Sequence, residues 1–277
     1  MIRKNNGLIY AITVLVITWS VTAALFIRPN IGLKTFSIIM LIPAAVAIMF
    51  QLLERKGLKG FQSKMTVKAW LFGILYPLLF ILLCGFLAQM IGIGRLNTVP
   101  DAKMFITMAI TVLVNLFPVF GEEYGWRGYL LPQLTQHWGK TKASIILGMI
   151  WALYHAPAVF FLAKATGMDH PLLICLIQTG CVFTITFPFS YCFYLSGSLI
   201  PVLFFHSVWN VMNTSVLGDI YTNKHGMFDG NIMLFNGEGL LGLILGAVFI
   251  FWFIRQFQNE SYVAEAGNKT YMRIKGS

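Results

Sequence analysis

Residues 71–93 read LFGILYPLLFILLCGFLAQMIGI, a run without one charged side chain. At a rise of about 1.5 Å per residue, such a run crosses the roughly 30 Å hydrocarbon core of a bilayer as a single helix. At that depth no water satisfies a backbone N–H or C=O, so an isolated run closes its hydrogen bonds within itself. Comparable runs fill most of the chain. They predict an all-α polytopic transmembrane helical bundle of about eight spans, near 7–27, 35–53, 69–93, 103–124, 142–163, 171–195, 198–217 and 237–254. No stretch is left over for a water-soluble domain. Residues 1–277 therefore read as one integral membrane domain, with 256–277 as a polar cytoplasmic tail.

Composition agrees: 57% of the residues are hydrophobic and 11% charged, against about 25% charged in a soluble domain. The net charge of +10 does not point to nucleic acid, because the Lys and Arg residues lie between apolar spans with no basic stripe interleaved with aromatics. They read as topology signals and contacts to the anionic lipid of the bilayer. The richer set of alternate connections contains Arg3 and Lys4, the cluster from Arg55 to Lys68, Lys140 and Lys142, and the basic residues from Arg255 onward. Its placement inside makes this a multi-pass cell-membrane protein with both termini in the cytoplasm. Cys84, Cys175, Cys181 and Cys192 all lie in apolar segments without a CxxC spacing, and read as small core residues.

Ionisable groups at membrane depth cost roughly 2.5–3.5 kcal/mol each on insertion scales, so they are candidates for function. Three segments carry them. In GEEYGWRGYLLP, residues 121–132, Glu123 and Arg127 are four apart and share a helical face, while Glu122 points about 100° away. Glu123 with Arg127 is expected to fix the local structure and leave Glu122 free for chemistry. In WALYHAPAVFF, residues 151–161, Trp151 and His155 are four apart. Pro157 there leaves the Leu153 carbonyl without its helical partner, which suits a cavity better than a lipid face. In PVLFFHSVWN, residues 201–210, His206 and Asn210 share a face, and Ser207 points elsewhere. Solvated interfacial charges, a core histidine and interhelical polar contacts would explain each segment taken alone.

Two carboxylates, two imidazoles and a carboxamide, with no serine or cysteine nucleophile among them, suggest attack by water. Glu122 with His155 could activate the water, and His206 with Asn210 could donate to the oxyanion. Alternatively Glu122, His155 and His206 could ligate a divalent metal such as zinc, although no HExxH or other compact zinc motif is present. The metal-free route, with no cofactor, is the favoured expectation. Helix rises allow the three segments to meet in the cytoplasmic half of the membrane, given tilt or a recessed helix.

At these residues the sequence resembles the CPBP family (CAAX protease and bacteriocin-processing, or Abi), related to type II CAAX prenyl proteases. Its EExxxR motif matches Glu122, Glu123 and Arg127; FxxxH appears with Trp151 in place of Phe and His155 intact; HxxxN matches His206 and Asn210. The motifs follow family order within a core of about 103–217. The resemblance implies an all-helical intramembrane endopeptidase acting on a peptide or membrane-protein substrate. It assigns Glu122 and His155 to water activation and His206 and Asn210 to the oxyanion. Family members are often labelled metalloproteases, which keeps the metal alternative in view. A non-catalytic immunity or scaffold protein of the same fold, or a transporter, are the competing expectations. His137, His170, His225, Asp169, Asp219 and Asp229 read as solvated loop residues.

Overall fold

Each apolar run forms a helix in the computed structural model, which describes residues 6–54 and 66–259. In chain order these are α1 (Asn6–Phe26), α2 (Pro29–Leu53), α3 (Val67–Met90), α4 (Ala102–Glu123), α5 (Leu131–Ala165), α6 (Pro171–Tyr194), α7 (Leu199–Met212) and α8 (Leu240–Asn259). Among the described residues, six segments are long and apolar enough to cross a membrane, so the count of eight is not established. One reason is that α4 and α5 join through a π-helical turn, Tyr124–Leu130, into one continuous run from Ala102 to Ala165. The other is α7, which carries His206, Ser207 and Asn210 and is not among the six. Helix α8 also runs past Arg255, where the sequence suggested a tail. Arg3, Lys4, the basic residues from Arg55 to Lys64, and everything after residue 259 lie outside the described residues.

Antiparallel alternation puts both described chain ends at one end of the bundle, here called the terminal end. There Asn6 Nδ2 and Tyr129 Oη donate to Glu54 Oε1 at 2.6 and 3.2 Å, and Lys140 Nζ donates to the Phe257 carbonyl at 3.0 Å. At the opposite end two short strands, β1 (Gly94–Leu96) and β2 (Phe228–Gly230), pair antiparallel with Arg95 opposite Asp229. Helix α5 packs along α6, α6 also packs on α8, and α7 lies between α3 and α4. Ile12 and Val16 of α1, Leu79 and Phe86 of α3 and Phe117 of α4 are exposed on the outside, as expected of a lipid-facing belt. The four cysteines are buried and free.

Two features aim the motif residues. The first is the pair Gly121 and Gly125, which lets α4 and its π-helical turn approach the middle of α2. A Cβ at Gly121 would collide with the Met40 carbonyl and stand 2.8 Å from Leu41 Cα; one at Gly125 would collide with Tyr10 Oη and stand 2.7 Å from Pro43 C. Gly125→Ala is therefore expected to cost about 1–3 kcal/mol through overpacking, read as a lower melting temperature in detergent. An unchanged melting temperature would refute the tight-packing account. The second is Pro157. Helix α5 continues through it, and the Leu153 carbonyl it leaves without a helical donor accepts from Trp19 Nε1 of α1 at 3.0 Å. That acceptor is taken by a neighbouring helix and is not offered to the cavity. Between these features α5 turns at Gly139, whose φ of 71° lies where glycine is least strained.

Candidate active site

Glu122, His155, His206 and Asn210 come from α4, α5 and α7, and all four line one cavity of about 260 Å³. Glu122 is 2% exposed, and its Oε2 accepts from Trp151 Nε1 at 2.8 Å. His155 is half-buried, and its Nδ1 lies 2.8 Å from the Trp151 carbonyl. A carbonyl only accepts, so Nδ1 carries the proton and the neutral ring presents Nε2 as an acceptor. Trp151 thus touches both water-activating candidates, one through its indole and one through its backbone. The phenylalanine that the motif pattern leads one to expect at this position has no N–H for Glu122.

Glu123 is fully buried and stays off the cavity wall. Its Oε1 accepts from Arg127 Nη1 at 3.0 Å, the pair expected from the spacing. The same oxygen also lies 2.8 Å from His206 Nδ1, a contact that sequence reasoning missed because it spans two helices. Glu123 is therefore the orienting partner of His206 as well as the counter-ion of Arg127. The guanidinium is fully buried, with its carbon 4.2 Å from the Trp151 ring centroid and 4.8 Å from that of Phe189. These two π-faces stabilise the cation, whose Nε and Nη2 have no hydrogen-bond partner among the described residues.

His206 donates Nδ1–H to Glu123 if the ring is neutral, and Nε2 is then an acceptor. With Nδ1–H held by Glu123, only the doubly protonated ring can also donate from Nε2. Asn210, half-buried on the same face of α7, has no side-chain partner among the described residues. Ser207 is not on the cavity wall, and its Oγ donates to the Val112 carbonyl at 2.6 Å.

The histidine tautomers are those that metal-bound histidines adopt, with the second nitrogen donating to a carbonyl or a carboxylate. Yet among the described residues no three His, Cys, Asp or Glu side chains stand together closely enough to hold a metal ion. Glu122, His155 and His206 form no such group as they are placed here.

The cavity extends beyond the motif residues. Its wall continues past the motif residues to Asp219, Tyr221 and Glu238, at the opposite end of the bundle from the chain ends. Asp219, expected to be a solvated loop residue, lies on that wall, as does Asn115 of α4. Glu238 is 5% exposed and was given no role from the sequence. Its signal was an acid at the very start of the last apolar run, where a lipid-boundary position explains it equally well.

Residues 104–212, which hold all of these motif residues, match the family model described as Type II CAAX prenyl endopeptidase Rce1-like. Over 39 residues the chain is 46% identical to CAAX prenyl protease 2 of Methanococcus maripaludis, and that match covers 14% of this chain and 14% of the relative.

Proposed function

We propose, from the premise that this chain belongs through residues 104–212 to the Rce1-like family of type II CAAX prenyl endopeptidases, that it is an intramembrane endopeptidase using a glutamate-activated water. The observation that supports this is the convergence of Glu122, His155, His206 and Asn210 on one cavity, with Glu123 and Arg127 packed behind it.

A water held between Glu122 Oε1 and His155 Nε2 gives its proton to Glu122 as its oxygen attacks the substrate carbonyl carbon. The carbonyl π-bond becomes an oxyanion, which accepts hydrogen bonds from Asn210 Nδ2 and from the doubly protonated His206 at Nε2. Protonated Glu122 then delivers the proton to the amide nitrogen as the C–N bond breaks. Carboxylic acid and amine leave, and Glu122 returns to its starting state. Trp151 aligns the base and His155 together, so both begin in a single geometry.

Proteolysis of a peptide or membrane-protein substrate by the full chain in lipid vesicles tests the assignment. Asn210→Ala and His206→Ala are each expected to lower kcat roughly 10²–10³-fold, the usual effect of losing one oxyanion donor. Full activity in both variants would remove the oxyanion role. A cellular phenotype that persists in these variants would favour scaffolding over catalysis. For the metal, prolonged dialysis against EDTA is expected to leave the rate unchanged. Loss of activity restored by zinc would overturn the metal-free route and require the side chains to rearrange around the ion. The Lys and Arg pattern supports both termini in the cytoplasm.

A further inference from the structure

The proposed hydrolysis leaves one end of the cavity unused. There the Glu238 carboxylate accepts three hydrogen bonds: Trp209 Nε1 to Oε1 at 3.0 Å, and to Oε2 both Gln178 Nε2 at 3.0 Å and Tyr221 Oη at 2.9 Å. All four residues line the cavity. No described lysine or arginine forms an ion pair with Glu238. Acids within membrane proteins almost always have a charged or backbone partner. The three neutral donors hold this carboxylate in place without balancing its charge.

Gln178 adds a second, independent observation. Its amide nitrogen is committed to both Tyr221 Oη, at 2.7 Å, and Glu238, which sets the orientation of the group. The other atom, Oε1, is buried and has no hydrogen-bond partner. Asp219, on the same wall, is fixed by the Tyr221 and Thr222 amides at 2.9 and 3.3 Å and by the Thr222 hydroxyl at 2.6 Å. The cavity lining thus includes Glu122, Asp219 and Glu238 but neither a lysine nor an arginine. Burial, and after it the Glu238 carboxylate, raise the Tyr221 phenol well above its ordinary pKa, so the phenol stays a donor. The charged groups at this end of the wall, Asp219 and Glu238, carry one sign, and low-dielectric walls concentrate the opposite sign there.

We propose that this end of the cavity is a subsite for a basic side chain, lysine or arginine, of the substrate peptide. Trp209, which bonds Glu238, follows His206 by three residues on α7, a rise of about 4.5 Å. An extended peptide advances about 3.3 Å per residue, so the basic residue lies within about three positions of the cleaved bond. A neutral side chain there would leave the Glu238 charge unbalanced, which is how a subsite discriminates. The position of this subsite relative to a cleaved bond rests on the endopeptidase reading; the binding preference itself does not.

The test uses purified full-length protein and short apolar peptides with acetylated amino termini. Each carries a single lysine or, at the same position, norleucine. Binding is followed by fluorescence anisotropy and cleavage is followed separately. At one or more positions the lysine peptide is expected to bind about tenfold more tightly, which corresponds to about 1.4 kcal/mol. Glu238→Gln, which keeps the shape and an acceptor for Trp209, is expected to erase that preference while the affinity for norleucine peptides stays unchanged. Equal binding of lysine and norleucine peptides by the wild type at every position would overturn the proposal, whether or not the variant folds. So would a preference that persists in Glu238→Gln. If lysine peptides bind preferentially but none is cleaved, the subsite stands and the hydrolytic reading fails.

Discussion

Glu122→Gln is expected to fold, to insert in the membrane and to cleave at a rate lower by roughly 10²–10⁴-fold, the range that positioned general bases contribute. The reason lies in the geometry. Glutamine is nearly isosteric, and its carbonyl oxygen can still accept from Trp151 Nε1, which now bonds Glu122 Oε2 at 2.8 Å. What it cannot do is take a proton from water and hand it to the leaving amine. Substrate affinity should therefore change little while kcat falls, which is the signature of a group that acts in the transition state. Wild-type turnover by Glu122→Gln would rule out the glutamate-water scheme.

The second large effect is expected at Glu123, and its signature is different. Glu123→Ala strips the fully buried Arg127 of its carboxylate and leaves His206 Nδ1 without its acceptor. Removing one partner of a buried ion pair typically costs about 3–5 kcal/mol, because the remaining charge stays desolvated. The Trp151 and Phe189 faces offset only part of that. The variant should melt at a clearly lower temperature in detergent and lose activity as well, since His206 is free to turn. Glu123→Gln, which retains an acceptor for both neighbours, should recover part of the stability. If Glu123→Ala is as stable as wild type, the buried pair does not hold the site together. Glu122→Gln and Glu123→Ala thus separate two adjacent acids, one by rate and the other by stability.

That separation was already visible in the sequence. Adjacent residues on a helix point about 100° apart, and a four-residue spacing to Arg127 selects Glu123 as its partner. The spacing also placed Trp151 with His155 and His206 with Asn210. It could not reach the Glu123–His206 contact, because that bond links α4 to α7 across 83 positions of chain. Nor could it show that the Leu153 carbonyl, left free by Pro157, is taken by Trp19. The glycines at 121 and 125 also went unread, although a small residue every fourth position is a known signal of close helix approach in membranes.

By itself the sequence determined a helical membrane protein and the identity of its motif residues. Both follow from local physics: unbroken apolar runs must close their own backbone hydrogen bonds in lipid, and charged groups there are too costly to be incidental. Only the tertiary structure decided what those residues share. It put four of them on one cavity, made Glu123 the partner of two groups at once, and extended the cavity toward Glu238, at the end of the bundle opposite the described chain ends. Periodicity gives direction around one helix. Distance between helices depends on how the bundle packs, and that is set by side-chain volumes and close-approach glycines far from the motifs.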